Sequence, residues 1–235
     1  MTATKKQTRQ DDFTMNKKWV DLRQPYYNQM SFAQGLGPPE FNTVRLALGE
    51  SIAHITFCRM TTHHGTHVDA PRHLVPEGKT IDEYPFEHFA GEGVILDMRR
   101  DGPVALTAAD CEQALPAVKE GDIVLFYTGW ADKFGSEEYS LHPYLGEDAA
   151  WWLVKKKVRI VGIDTKTVDI PSPLRKEDFN FPVHKALLGN DILIIEHLGP
   201  GLKQVLNKRV TIACFPLKIT GADGAPAPVF ALVET

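Results

Sequence analysis

His63-His64-Gly65-Thr66-His67-Val68-Asp69-Ala70-Pro71-Arg72-His73 puts four side chains able to ligate a metal or carry a proton at 63, 67, 69 and 73. All four positions are odd, and a period of two is the geometry of an extended strand, in which i and i+2 face the same way. A helix would align His63 with His67 but scatter the other two, and Gly65 and Pro71 both oppose a helix. Fully extended, residues 63–69 would cover roughly 20 Å, whereas each ligand must sit about 2 Å from its ion. The strand must therefore curl or bulge, and Gly65 is the residue that allows it. The pattern predicts a metal site on a curled strand. A polar, histidine-rich loop without an ion is the alternative, and for a lone histidine it would be the better one. Three histidines and an aspartate in phase within eleven residues favour the metal. A purification tag is excluded by the internal position and the interleaved Gly, Asp and Pro.

These residues alone make a thin shell for a hydrolytic site, so further ligands are sought elsewhere. The best stretch is Phe181-Pro182-Val183-His184-Lys185-Ala186-Leu187-Leu188-Gly189-Asn190-Asp191-Ile192-Leu193-Ile194-Ile195-Glu196-His197-Leu198. His184 begins a short helical stretch that Gly189-Asn190 ends. Residues 192–195 are a continuous apolar run, as in a strand buried on both faces. Glu196 is then a carboxylate delivered by a rigid element to the sheet edge, although simple strand-end polarity explains Glu196 and His197 equally well.

Further strands are predicted at 44–48, 52–60, 93–98, 123–128, 158–163 and 210–215, the first two leading into the metal loop. Helices are predicted at 108–117, capped by Thr107 with Asp110 at the third helical position, and at 147–156. The basic run Lys155-Lys156-Lys157 reads as the solvated end of the second helix ahead of a buried strand. Interleaved helices and strands, without Rossmann glycines or a phosphate loop, give an α/β or α+β chain around a mixed sheet. Residues 1–18 are polar and read as a disordered extension, leaving 19–235 as one domain.

Composition excludes several classes. The formal net charge is −4 with scattered basic residues, so nucleic acid is not an expected partner. No run of about twenty apolar residues exists to span a membrane. Three cysteines cannot all pair, and no apolar leader is seen, which places the chain in a reducing cytoplasm. Cys58, Cys111 and Cys214 fit no ligand spacing and are expected as buried apolar filler.

The string His63-x-Gly65-Thr66-His67-x-Asp69-x-Pro71-x-His73 resembles the signature of the cyclase family of metal-dependent hydrolases, which includes bacterial kynurenine formamidases and isatin hydrolases. The His184-x11-Glu196 spacing, Thr128-Gly129-Trp130 and Gly162-Ile163-Asp164-Thr165 resemble further family segments, so the similarity runs from about Asp21 to Leu198. It implies a single domain with helices around a mixed, curled sheet, assembled as a homodimer or homotetramer. It also implies two divalent ions: one held by His63, His67 and Asp69, and a second held by Asp69 as bridge, His184 and Glu196. His73 would then be the proton carrier, a role the residues alone do not separate from ligation. Imidazole and carboxylate ligands without thiolate favour zinc or manganese.

The expected activity is hydrolysis of a linear or cyclic amide in a small molecule, by metal-activated water with His73 as proton acceptor and donor. A lactone or ester hydrolase would use the same apparatus. A metal-dependent binding domain without turnover is the alternative from another class, and it has no need of an unligated His73 beside its ions. For the substrate pocket, Phe32, Phe41 and Trp130 are the candidates, with core packing the competing role for each. Arg45 or Arg72 would meet a substrate carboxylate, or simply face solvent. In the kynurenine formamidases the early segment carries a substrate-stacking Trp and a Pro-Gly-Asp turn. Here no Trp lies between Trp19 and Trp130, which argues against N-formylkynurenine itself.

Overall fold

The computed structural model describes residues 16–33 and 35–234. Most of the extension expected over 1–18 lies outside the described residues, and Lys17 and Lys18 already belong to a strand. The strands are β1 (Lys17–Asp21), β2 (Glu40–Leu48), β3 (Ser51–Arg59), β4 (His67–Asp69), β5 (Ala90–Asp97), β6 (Ala105–Leu106), β7 (Ile123–Tyr127), β8 (Tyr144–Leu145), β9 (Ile160–Ile163), β10 (Leu193–Glu196), β11 (Lys208–Cys214), β12 (Gly224–Pro226) and β13 (Val229–Glu234). The α-helices are α1 (Ala108–Gln113), α2 (Glu147–Lys156) and α3 (Pro182–Leu188).

Nine strands form one mixed sheet in the order β1-β13-β11-β5-β7-β9-β10-β4-β12. Its centre, β5-β7-β9-β10, is parallel, and antiparallel strands flank it on both sides. The central strands read as unbroken apolar runs because successive side chains enter different cores. Ile95, Leu125, Ile160 and Ile195 join one core with Leu198, Leu202 and Val229. Val94, Val124, Val161 and Ile194 join the other, together with Ala149 and Leu153 of α2 and Val183 and Leu187 of α3. Parallel strands buried on both faces take this form.

Most of the expected elements stand with shifted ends, and α3 begins at Pro182 rather than at His184. α1 stops at Gln113 rather than at 117, because Pro116 disfavours helical backbone at Leu115. β2 and β3 pair only with each other, in a hairpin separate from the main sheet. Cys58 lies on that hairpin and is exposed, whereas Cys111 and Cys214 are buried as expected. The lysine run closes α2 as read, with Lys157 in the left-handed conformation just before β9.

Candidate metal centre

The eleven-residue stretch is not one extended strand. Only His67–Asp69 is strand; a turn precedes it and a 3₁₀ turn, Pro71–His73, follows. The curl falls at Gly65, whose φ is 61°. A Cβ there would stand 2.7 Å from the Tyr26 ring, so the position needs glycine for both backbone and space. The turn carries His63 back over β4, which an extended chain could not do.

Sheet register then assembles the cluster. β4 runs antiparallel to β10, with His67 opposite Glu196 and Asp69 opposite Ile194. Val68 points into one core, so His67 and Asp69 share the other face with Glu196. α3 packs over that face and supplies His184. The Nε2 of His67 lies 3.1 Å from Asp69 Oδ1 and 3.8 Å from Glu196 Oε2. The Nε2 of His184 lies 3.2 Å from Glu196 Oε1 and 3.6 Å from Asp69 Oδ2. His63 Nδ1 is 2.8 Å from Asp69 Oδ1. His67, Asp69, His184 and Glu196 are all buried. Thus the five expected ligand residues converge, with Glu196 buried and turned toward His67 and His184.

Two aspartates that local spacing does not reveal complete the arrangement. Asp169 Oδ2 accepts from His184 Nδ1 at 2.6 Å, and this carboxylate also accepts from the backbone N–H groups of Val183 and His184. Asp223 Oδ2 lies 2.8 Å from His63 Nε2 and 3.2 Å from His73 Nδ1. An ionised carboxylate only accepts, so it fixes which ring nitrogen carries the proton. His67 Nδ1 likewise donates to the Gly65 carbonyl at 2.8 Å, leaving Nε2 to the cluster. His64, even-numbered, turns away and bonds Thr61 and the Gly37 carbonyl.

The charges show what this centre can hold. Burial pushes the His63 imidazolium down, but Asp69 and Asp223 on either side outweigh it and raise its pKa to about 10. Burial opposes the charge on His184 too, and its Asp169, Asp69 and Glu196 partners hold it well above the usual imidazole range. Burial alone would raise Asp69, yet His67 and His63 hold it well below the usual carboxylate range. Protonated imidazoles thus supply the positive charge the carboxylates require. Even so, His67 Nε2 and Asp69 Oδ2 are buried without a hydrogen-bond partner. A divalent cation taking nitrogen and oxygen ligands satisfies those atoms and replaces the imidazole protons, so the residues fit a metal. His67, Asp69 and Glu196 converge closely enough for one ion, and so do His63, Asp69 and His73.

The centre opens into a cavity of about 440 Å³ whose wall includes Ala33, Leu36, Phe181 and Arg175. None of Phe32, Phe41 and Trp130 lines it. Phe32 stands edge-on to His64, Phe41 to Tyr26; Trp130 is buried and donates to the Glu138 carbonyl. The Trp130 segment has another task. Asp164 accepts from the backbone of Thr128, Gly129, Trp130 and Ala131 and from the Thr128 hydroxyl, which ties 128–131 to 162–165 beside the site. Arg45 lies on the exposed hairpin, and Arg72 faces Glu77 at 3.7 Å.

The chain is similar to several known proteins. The family model Cyclase, described as "Putative cyclase", matches residues 20–170. A kynurenine formamidase of Salinibacter ruber is 31% identical over 191 residues, covering 78% of this chain and 82% of that one. A solved structure described as a potential metal-dependent hydrolase with cyclase activity aligns with TM-score 0.73 at 30% identity, over 93% of this chain and 98% of its own. Isatin hydrolase A from Ralstonia solanacearum aligns with TM-score 0.79 at 26% identity, over 93% of each chain.

Proposed function

The chain belongs to the Cyclase family, and on that premise we propose that it is a metal-dependent hydrolase of a linear or cyclic amide bond in a small molecule. The observation that carries this reading is the convergence of His63, His67, Asp69, His184 and Glu196 around buried atoms that lack partners. In this reading His63, His67 and Asp69 hold one divalent ion. His184 and Glu196, with Asp69 shared, would hold a second, and the sulfur-free ligand set suits zinc or manganese. Such ions would acidify a water and polarise the scissile carbonyl.

The remaining chemistry belongs to the chain itself. Asp223 accepts a hydrogen bond from the Nδ1–H of His73, so the other ring nitrogen is the one that can accept a proton. His73 lines the cavity, where it receives the proton of the attacking water and returns it to the departing nitrogen. One proton serves both steps. Asp169 holds the His184 ring in register, as partners of ligating histidines commonly do.

A homodimer or homotetramer is part of the same reading. The register of β2 and β3 puts Val44, Leu46, Leu48, Ile55 and Phe57 on one face of the hairpin, all exposed, and exposed apolar patches of this kind commonly mark protein contacts. A cytoplasmic location accords with three unpaired cysteines. Among the described residues no helix is long and apolar enough to cross a membrane.

Elemental analysis combined with a screen of formamides, cyclic imides, isatin-like lactams and lactones tests the reading. Two divalent ions per subunit and turnover of an amide are expected, with Asp69→Ala losing both. Active protein without metal would overturn it. Turnover confined to lactones would move the reaction to ester cleavage.

A further inference from the structure

Apart from its histidines, the cavity beside the candidate metal centre is lined by two cations, Lys166 and Arg175. Lys166 is already engaged, donating to the Ser140 hydroxyl at 2.8 Å. Arg175 is held but not paired. Its Nε donates to the Ile170 carbonyl at 2.9 Å, and its Cζ stands 4.6 Å from the Phe179 ring centre and 4.8 Å from that of Phe181. The Phe181 ring is edge-on to His184 at 6.0 Å, so one aromatic ring separates the guanidinium from a proposed metal ligand.

Among the described residues, the terminal nitrogens of Arg175 donate no hydrogen bond to the protein, and no carboxylate lies within ion-pair distance. Arg23, Arg99, Arg100 and Arg209, by contrast, each close on an aspartate at 2.6 to 2.7 Å. Arg175 has given up part of its hydration, and burial lowers its pKa from the usual guanidinium value. A partly desolvated cation held by a carbonyl and two rings, with its fork of donors unused, matches a planar anion that accepts two parallel hydrogen bonds. The apolar wall formed by Ala33, Leu36 and Phe181 suits a hydrocarbon body between that anion and the centre.

Resting on the hydrolase reading, we propose that the substrate is an amide carrying a carboxylate remote from the scissile bond, and that Arg175 binds this carboxylate while the amide faces the metal ligands. Arg175 is then a specificity residue contributed by the loop ahead of α3.

Three enzymes, the wild type, Arg175→Met and Arg175→Lys, are compared on 2- and 3-formamidobenzoate against formanilide, which lacks the anion. The wild type is expected to favour an anionic amide in kcat/KM, mainly through KM. Arg175→Met should lose at least about tenfold more on the anionic amides than on formanilide, the scale of a charge-assisted hydrogen-bonded contact. Arg175→Lys should recover part of the difference. Equal losses on charged and neutral amides would make Arg175 a loop anchor only and overturn the proposal, as would unchanged selectivity. Calorimetric binding of benzoate and benzamide to the same metal-loaded proteins separates this inference from the reaction class. Absence of amide turnover would count against the hydrolase reading. A preference for benzoate that Arg175→Met abolishes would uphold the anion site even then, and a preference that survives Arg175→Met would overturn it.

Discussion

Replacing His73 by Ala separates proton transfer from metal binding at one position. His73, His63 and Asp69 are close enough together for a shared ion, yet His73 Nδ1 is engaged by Asp223 at 3.2 Å. Its side chain is 28% exposed and that of Asp223 is 39% exposed. Losing this contact should therefore cost the fold less than about 1 kcal/mol. The buried ligands are untouched, so metal content should stay near the wild-type value. Turnover should fall by about 10² to 10⁴, the range for loss of one general acid–base group, equivalent to roughly 2.7 to 5.5 kcal/mol of transition-state stabilisation. The loss should be larger for an unactivated amide, whose leaving nitrogen needs a proton, than for an activated ester. Asp223→Asn should reproduce part of the effect, since a neutral amide is a weaker acceptor than the single carboxylate oxygen that faces both His63 and His73. The assay pairs elemental analysis with kcat on an amide and on an activated ester for each variant. Loss of ions in proportion to activity would make His73 a ligand. Equal losses on amide and ester would remove proton delivery from its role.

Three further outcomes follow from the same geometry. Asp169→Asn should weaken metal binding by about 10- to 100-fold, as loss of a carboxylate behind a ligating imidazole usually does; unchanged affinity in a competitive chelator titration would show that the His184 ring needs no such support. Metal affinity should rise with pH. The metal-free His63 is held protonated, its pKa raised to about 10, so binding must displace its proton and that competition fades only as pH approaches this value; an affinity flat from roughly pH 6 to 9 would refute the displacement. Gly65→Ala should lower stability by about 2 kcal/mol, combining a left-handed backbone with the close approach of Tyr26, and thermal unfolding unchanged by the substitution would mean that the turn relaxes freely.

Local sequence carries local geometry, and this chain shows how far that reaches. The phase of His67 and Asp69, the need for a bend at Gly65, a short helix carrying His184 and the buried run ending in Glu196 all depend on backbone periodicity within a few residues and are legible without coordinates, although the helix begins at Pro182 rather than at His184. The unbroken apolar run of β10 announces a strand covered on both faces for the same reason. Other features depend on where distant segments meet. The pairing of His67 with Glu196 is a matter of register between β4 and β10. Asp223, in the turn ahead of β12, reaches His63 and His73 only because β12 adds to the edge of β4. Asp169 meets His184 because the loop after β9 returns to the start of α3. Arg175 looks like any loop arginine in sequence; two phenylalanines and a backbone carbonyl give it one orientation. The aromatic residues singled out for the pocket, Phe32, Phe41 and Trp130, had composition in their favour, but composition does not say which side of a wall a ring occupies. Side-chain type and spacing thus determined what chemistry the chain holds, whereas sheet order and loop return decided which charges confront it, because contacts between distant residues leave no periodic trace along the chain.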